Sequence, residues 1–241
     1  LAFREPSKRI TKNNKTFLWE PFSSNYRGIY NITRNLYKNS YGNKVVFEEV
    51  NHDLKLTFIY QWNSSNHFGF VKKSSLENND DSEVTISVVD GLQNILPAGV
   101  ETNLQNSSSN LVDAYKRSEL LKETGIGIFA LSAFIVDKAE PSESLKANIA
   151  WSLGLENPTY LLSSLQLDKF RRGAEIKQET DVKAEKGGYF VQSDFKLNSN
   201  TTKEWMILAD VNQNHSSIAK ISDRIKNEDN LYNAVKEDVE T

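Results

Sequence analysis

Alternating apolar and polar positions predict β-strands over much of the chain. In the first half, polar turn-forming sequences separate four such segments. These predicted strands cover residues 45–50, 54–62, 68–76 and 84–90. Residues 51–53, with the sequence Asn-His-Asp, predict a hairpin turn between the first two strands. We therefore expect the four strands to pair in order as an antiparallel meander.

The same alternation returns in the second half of the chain. It predicts strands at residues 126–136, 145–155, 159–167, 189–197 and 203–211. The last two strands are joined by Asn198, Ser199 and Asn200, a turn-forming set that predicts a second hairpin. Residues 1–43 show no regular period, and we expect them to be irregular.

Helical spacing occurs at two places. Apolar residues after Asn110 recur at roughly helical intervals as far as Leu121, and Gly125 provides a stop signal, which predicts a helix of about 13 residues. Residues 91–100 are apolar but interrupted by Gly and Pro, and we expect a loop or a single helical turn that interrupts the sheet. Two amphipathic helices are predicted from His215 onward.

These elements predict a mainly β fold, a large antiparallel sandwich with one inserted helix. Strands and helices do not alternate as they do in α/β folds, which disfavours that class. Residues 1–211 form the predicted β domain, and residues 212–241 form a helical segment. A division into two smaller β domains stays open, although no Pro/Gly/Ser-rich linker marks a boundary.

Charge and composition exclude several classes of protein. The 241 residues contain 29 Lys and Arg against 32 Asp and Glu, a formal net charge of -3, without a basic stripe. Nucleic-acid binding needs such a stripe, as does binding to a membrane surface, so neither partner is expected. No apolar run approaches the roughly 20 residues of a membrane helix, and we expect a soluble chain. The lack of cysteine removes thiol nucleophiles, disulfides and Cys-ligated zinc.

Motifs that would indicate catalysis are weak in this sequence. His52, His67 and His215 are isolated from one another, and each lies in a predicted turn, which disfavours a metal site. Residues 125–130 match a G-x-G-x-x-A fingerprint, but they follow a predicted helix and open a strand, the reverse of what a dinucleotide site needs. We therefore predict no catalytic residue, cofactor or metal ion.

Six residues are candidates for contact with a substrate or ligand. They are Trp62, Asp90, Gln93, Asn94, Tyr115 and Arg117. Indole rings pack on sugar faces, although in alternating strands they more often belong to the core. The acid and amides of residues 90–94 lie in a predicted loop, where binding residues concentrate, or they satisfy the loop backbone. Tyr115, Lys116 and Arg117 could contact an anion, or they form the solvated face of their helix.

Four features of the sequence together resemble a known domain. They are the strand 54–62 with Asn63, Ser64 and Ser65, the strand 68–73, the segment 90–97 and the late helices. With these features the chain resembles the N-terminal β-supersandwich, of galactose-mutarotase-like fold, in large bacterial glycoside phosphorylases and hydrolase-like proteins. In those proteins an (α/α)6 barrel follows the supersandwich.

The resemblance implies a non-catalytic domain that helps to shape a sugar site. Its implied partners are a carbohydrate and the helical barrel of the same protein. Residues 212–241 would then be a linker toward that missing C-terminal domain, which would carry the catalytic acid. The compartment stays open between the bacterial cytoplasm and the periplasm.

Two other functions stay open at this point. An aldose-epimerase-like enzyme would need a histidine and a carboxylate facing one cleft, and no motif places His52, His67 or His215 in that role. A protein-interaction module would instead expose a broad apolar patch. The position of the histidines and the distribution of exposed apolar residues distinguish these alternatives.

Overall fold

Two antiparallel sheets face each other in the computed structural model, which describes residues 6–12, 14–25, 28–40, 44–132 and 146–240. The strands are β1 (Ser7–Lys12), β2 (Lys15–Trp19), β3 (Ile32–Lys38), β4 (Val45–Asn51), β5 (Leu56–Ser65), β6 (Gly69–Asn78), β7 (Val84–Ile95), β8 (Lys116–Leu121), β9 (Ile126–Leu131), β10 (Ala147–Leu153), β11 (Thr159–Leu161), β12 (Asp181–Lys183), β13 (Gly187–Leu197) and β14 (Thr202–Gln213). The helices are α1 (Thr102–Ser107), α2 (Ser109–Tyr115), α3 (Leu167–Arg171), α4 (His215–Asn227) and α5 (Leu231–Glu240).

The strands divide into a smaller sheet of five and a larger sheet of nine. The smaller sheet has the order β11-β13-β7-β1-β2, and the larger sheet has the order β12-β8-β9-β10-β14-β6-β5-β4-β3. The pairings between described neighbouring strands are antiparallel. The mainly β antiparallel sandwich that the sequence predicts is therefore confirmed.

Predicted strands are confirmed in position more often than in pairing. The hairpin of β4 and β5 is confirmed, with Val45 opposite Trp62. The meander prediction is wrong at β7, which pairs with β1 and β13 in the smaller sheet. The second predicted hairpin is also wrong, because β14 pairs with β6 and β10 in the larger sheet while β13 lies in the smaller one. Alternation identifies the buried face of a strand, and it does not identify the sheet that the strand joins.

Residues 91–95 continue β7, whereas the sequence predicts a loop there. Gly91 lies opposite Phe190 of β13, and a Cβ at Gly91 would lie 2.2 Å from the carbonyl oxygen of Tyr189. This glycine permits the close approach of two backbones, which is the other common role of glycine in a strand. The loop prediction is wrong because it assigned the glycine to a turn.

The predicted helix after Asn110 is wrong in its second half. The chain forms two short helices, α1 and α2, and enters β8 at Lys116. In β8 the buried residues Lys116, Ser118 and Leu120 alternate with more exposed ones, and the strand pairs with β9 and β12. A short apolar segment fits both the helical and the strand period, and here pairing with neighbouring strands decides between them.

The amino-terminal region is more regular than predicted, since it contains β1, β2 and β3. Three later strands are shorter than predicted, namely β9, β10 and β11. Residues 133–145, which include the end of one predicted strand and the start of the next, lie outside the described residues.

The main hydrophobic core lies between the two sheets. Trp19, Phe58 and Trp205 are fully buried in it, and the rings of Phe58 and Trp205 lie 6.1 Å apart. Trp151 is buried in a second core, on the opposite face of the larger sheet. Trp62 is half-buried and packs against the main core. The aromatic residues of the alternating strands thus pack mainly in the two cores.

The two carboxy-terminal helices cover the outer face of the larger sheet. The side chain of Asn214 caps α4 by accepting a hydrogen bond of 2.9 Å from the backbone N–H of Ser217. Leu231 and Val235 of α5 are buried in the second core, against Met206 of β14. The amphipathic faces predicted for these helices are the faces that pack on the sheet. None of the helices in the described ranges is long and apolar enough to cross a membrane.

A buried ion pair lies in the middle of the main core. Lys72 of β6 donates to Asp90 of β7, which also accepts hydrogen bonds from Ser74 Oγ at 2.9 Å and from Trp205 Nε1 at 2.8 Å. Burial alone would raise the pKa of Asp90, but Lys72, Lys8 and Trp205 outweigh it and hold that pKa below its ordinary value. Asp90 is therefore an ionised carboxylate that joins the two sheets.

Lys8 of β1 lies beside this pair without a hydrogen-bond partner among the described residues. Its Nζ is 3.3 Å from the centroid of the Phe58 ring. Burial lowers the pKa of Lys8 well below 10.5; Asp90 opposes this shift, and Lys72 adds to it. Relative to the unfolded chain, folding therefore shifts Lys8 toward the neutral amine.

The buried amine predicts a stability that depends on pH. Between the folded and unfolded pKa values of Lys8 the unfolded state binds one more proton, so the free energy of unfolding rises with pH by about 1.4 kcal/mol per unit. We expect Lys8→Met to be more stable than the wild type at pH 7, and the difference to shrink toward pH 9.5. Urea unfolding of both proteins at the two pH values measures this. A difference that does not change with pH would show that Lys8 stays protonated.

The docking of α5 can be tested with one buried leucine. Leu231 is 3% exposed, so Leu231→Ala should lower the free energy of unfolding by about 2–5 kcal/mol. Leu165, which is 61% exposed, provides the matched control, and Leu165→Ala should change stability by less than about 0.5 kcal/mol. Equal effects of the two substitutions in thermal unfolding would contradict the packing of α5 on the sheet.

Candidate functional site

A polar cavity opens where β7 ends and α1 begins. Its volume is about 510 Å³, which is enough for a small saccharide. The lining residues come from β7 and the segment after it, from α1 and α2, from the start of β8 and from the residue before β13. They are Asn94, Leu96, Thr102, Gln105, Asn106, Ser109, Lys116 and Lys186. Most of these side chains carry hydroxyl, amide or ammonium groups.

A β-bulge places Asn94 in this cavity. On β13, Gly187 lies opposite Ile95 and Gly188 lies opposite Gln93, so Asn94 is the extra residue of β7. Its φ of 56° is in the left-handed region, which asparagine tolerates better than most residues. Bulges reorient a side chain relative to the regular strand, and here Asn94 is exposed between two less exposed neighbours.

A buried ammonium group forms part of the cavity wall. Lys116 is 4% exposed, and its Nζ donates to Gln105 Oε1 at 2.6 Å and to Asp113 Oδ1 at 2.7 Å. Gln105 Nε2 in turn donates to Asp113 Oδ1 at 3.2 Å. This network fixes the amide of Gln105 and anchors α1 and α2 to the first residue of β8.

The other candidates from the segments around β7 and β8 lie beside the cavity without lining it. Gln93 is half-buried on β7, and Tyr115 ends α2, where its carbonyl oxygen accepts from the N–H of Ser132 at 2.7 Å. Arg117 projects to the other face of β8 from Lys116, and its Nε lies 3.0 Å from Asp181 Oδ1. Ligand contact by these residues stays a prediction.

Trp62 and Asp90 lie away from the cavity, within or against the main core. Asp90 is fully buried and engaged by Lys72, Ser74 and Trp205, so its carboxylate has structural partners on both sheets. Of the six predicted residues, Asn94 alone is among the residues that line the cavity. Asn94 belongs to the segment that the sequence singles out, and the bulge that places it at the cavity depends on the register of β13.

The histidines of the sequence lie outside this cavity. His52, His67 and His215 are exposed. His67 Nε2 lies 3.9 Å from Asp238 Oδ1, next to a crevice of about 20 Å³. Such a volume holds one water molecule and no sugar ring. Within the described ranges no cluster of His, Asp and Glu side chains is arranged to hold a metal ion.

Known proteins resemble this chain in fold and not in sequence. No family model matches the sequence, and no curated protein matches it significantly. Among solved structures, a bacterial glucoamylase complexed with acarbose is similar at a TM-score of 0.53 and 11% identity, over 98% of this chain and 30% of that chain. A putative kojibiose phosphorylase from the human microbiome (TM-score 0.37, 10% identity, 97% of this chain and 26% of that chain) is also similar. An α-galactosidase from Geobacillus stearothermophilus in complex with 1-deoxygalactonojirimycin is similar as well (TM-score 0.37, 9% identity, 87% of this chain and 30% of that chain).

The likeness to the glucoamylase concerns the fold alone, because 11% identity transfers no residue roles. The β-sandwich expected from the resemblance to glycoside phosphorylases and hydrolases is thereby confirmed as a fold. The chain spans 30% of the length of the glucoamylase chain that it matches.

The structural role of Asp90 gives a sharp prediction. Asp90→Asn removes the negative charge and leaves Lys72 buried without its counter-ion, so the free energy of unfolding should fall by about 3–5 kcal/mol. The double variant Asp90→Asn/Lys72→Met should recover part of this loss, because it removes the unpaired charge. Urea unfolding measures both.

The exposed pair of Asp181 and Arg117 provides the control for this experiment. Asp181→Asn breaks an ion pair that lies in solvent, and stability should hardly change. If Asp90→Asn is as harmless as Asp181→Asn, the pair of Asp90 and Lys72 does not hold the sheets together.

Proposed function

We propose that this chain is a non-catalytic, carbohydrate-associated domain of a larger glycoside hydrolase- or phosphorylase-like protein. In this role it binds or positions a saccharide in the cavity at the end of β7. A helical barrel after α5 supplies the chemistry, and residues 212–241 link the two domains. The observation that carries this proposal is the polar cavity, on a fold shared with a glucoamylase that binds acarbose.

The side chains of the cavity suit saccharide hydroxyls. Asn94 and Asn106 offer amide donors and acceptors, and Thr102 and Ser109 offer hydroxyls that act as both. A sugar ring presents adjacent hydroxyls with the same dual capacity. Asn106 is exposed on α1, and no hydrogen bond of its side chain occurs among the described residues. A ligand can therefore engage it without breaking the fold.

Two alternatives from the sequence receive less support. An aldose-epimerase-like enzyme needs a histidine and a carboxylate at one sugar-sized site. The crevice that His67 lines has a volume of only about 20 Å³, and Asp238, 3.9 Å from His67, does not line it. A protein-interaction module needs a broad apolar patch. The large exposed apolar residues instead come from separate elements, such as Leu36 of β3, Leu111 of α2 and Val211 of β14.

Saccharide binding can be tested at Asn94 with a substitution that keeps the backbone. Asn94→Gly preserves the left-handed conformation and removes the amide. We expect the affinity of the chain for a saccharide identified from a panel of mono- and oligosaccharides to fall about two- to tenfold, the equivalent of one hydrogen bond. Isothermal titration calorimetry measures the change.

Asn200→Gly is the matched control for Asn94→Gly. Asn200 is exposed, has a φ of 53° and lies in the turn before β14, away from the cavity. This variant should bind as the wild type does. A panel without any binding saccharide, or equal losses in the two variants, would contradict saccharide binding in the cavity.

A further inference from the structure

The cavity at the end of β7 carries more positive than negative charge. Lys116 and Lys186 both line it, and none of its lining residues is acidic. Glu101 and Glu185, their acidic neighbours in sequence, are exposed and do not line it. The adjacent acid is Asp113, which bonds Lys116 at 2.7 Å. Two cations against one anion leave a local charge of about +1 in a chain whose formal net charge is -3.

The contacts of Asp113 keep its carboxyl group ionised. Burial would raise the pKa of Asp113, but the hydrogen bonds of Lys116 and Gln105 and the charge of Lys186 hold that pKa below its ordinary value. Asp113 is therefore ionised and compensates one of the two lysines. The ammonium of the other lysine is left to solvent or to a ligand.

The unused hydrogen-bond donors of Lys116 and Lys186 also favour an anionic ligand. An ammonium group has three donors, and Lys116 uses two of them, toward Gln105 and Asp113. The third donor lies on a side chain that is buried and lines the cavity. For Lys186, the described residues supply no hydrogen bond and no ion pair within contact distance. The wall therefore offers more N–H donors than the protein itself uses.

A second cavity carries the opposite charge. It has a volume of about 310 Å³ on the smaller sheet, and its lining includes Glu156, Glu175 and Asp194 against the single cation Arg9. The two cavities thus have opposite charge on one chain. A ligand with an anionic group is attracted to the first cavity and repelled from the second.

We infer that the cavity at the end of β7 takes an anionic saccharide, whose carboxylate or phosphate binds between Lys116 and Lys186 while its hydroxyls bind the amides and hydroxyls of the wall. This inference rests on the proposed function and names the class of saccharide. Carboxylate and phosphate share the chemistry that two ammonium groups recognise. A uronic acid and a sugar phosphate are the two sources of that chemistry.

The test compares a neutral sugar with two sugars that carry an anionic group, and with inorganic phosphate alone. The full chain is labelled with ¹⁵N and titrated with glucose, glucuronate, glucose 6-phosphate and inorganic phosphate, at low salt and again at about 0.3 M salt. We expect one of the two anionic sugars to bind at least about tenfold more tightly than glucose, and its affinity to fall with salt. Whichever anionic sugar binds identifies the source of the anion.

Charge variants locate the effect at the cavity. Lys186 is exposed, so Lys186→Gln should not disturb folding. This variant should lower the affinity for the anionic sugar about threefold. Lys220→Gln, an exposed lysine of α4 that does not line the cavity, should leave binding unchanged. Asp113→Asn removes the compensating acid and should tighten binding of the anionic sugar.

The possible results separate this inference from the proposed function. Equal binding of glucose and both anionic sugars would overturn the inference and leave saccharide binding in place. Binding of inorganic phosphate as tightly as glucose 6-phosphate, without binding of glucuronate, would also overturn it, because the sugar would then contribute nothing. An absence of binding by all four ligands, and by the wider saccharide panel, would overturn both.

Discussion

The ion pair of Asp90 and Lys72 is the constraint on which the sandwich depends. Asp90 belongs to the smaller sheet, while Lys72, Ser74 and Trp205 belong to two adjacent strands of the larger sheet. A shift of β7 by one residue would turn the carboxylate to the outer face and leave a buried lysine unpaired. The pair therefore fixes the register of β7 and the alignment of the sheets within a mostly apolar core.

The same strand that carries this pair also carries the cavity. Asn94 follows Asp90 by four residues, and the bulge against β13 gives it an orientation that a regular strand would not. Because the register of β7 is fixed at Asp90, the bulge and the adjoining Lys186 are fixed as well. The cavity wall is completed by Lys116, whose hydrogen bonds with Gln105 and Asp113 hold α1 and α2 in place. The register of β7 thus determines both the packing of the core and the shape of the candidate site.

The sequence predicts the strands well and their partners poorly. Alternation locates β4 to β7 and the β4–β5 hairpin, because both follow from local pattern and turn chemistry. The crossings from β6 to β7 and from β13 to β14 are not predicted, since they depend on contacts between distant segments. For the candidate site, the segment of Asn94 is identified by its amides. No sequence pattern identifies Lys186 as a residue of the site, because only the pairing of β13 with β7 brings it to the cavity.

We propose that the chain contributes a saccharide-binding cavity to a larger protein in which another domain carries the chemistry. The most direct measurement is a map of backbone amide shifts in the ¹⁵N-labelled chain as a bound saccharide is added. The largest shifts should fall at Asn94, on α1 and α2, and around Lys116 and Lys186, with no conversion of the saccharide in the same sample. Shifts centred on His67 and Asp238, together with appearance of a product, would contradict this proposal.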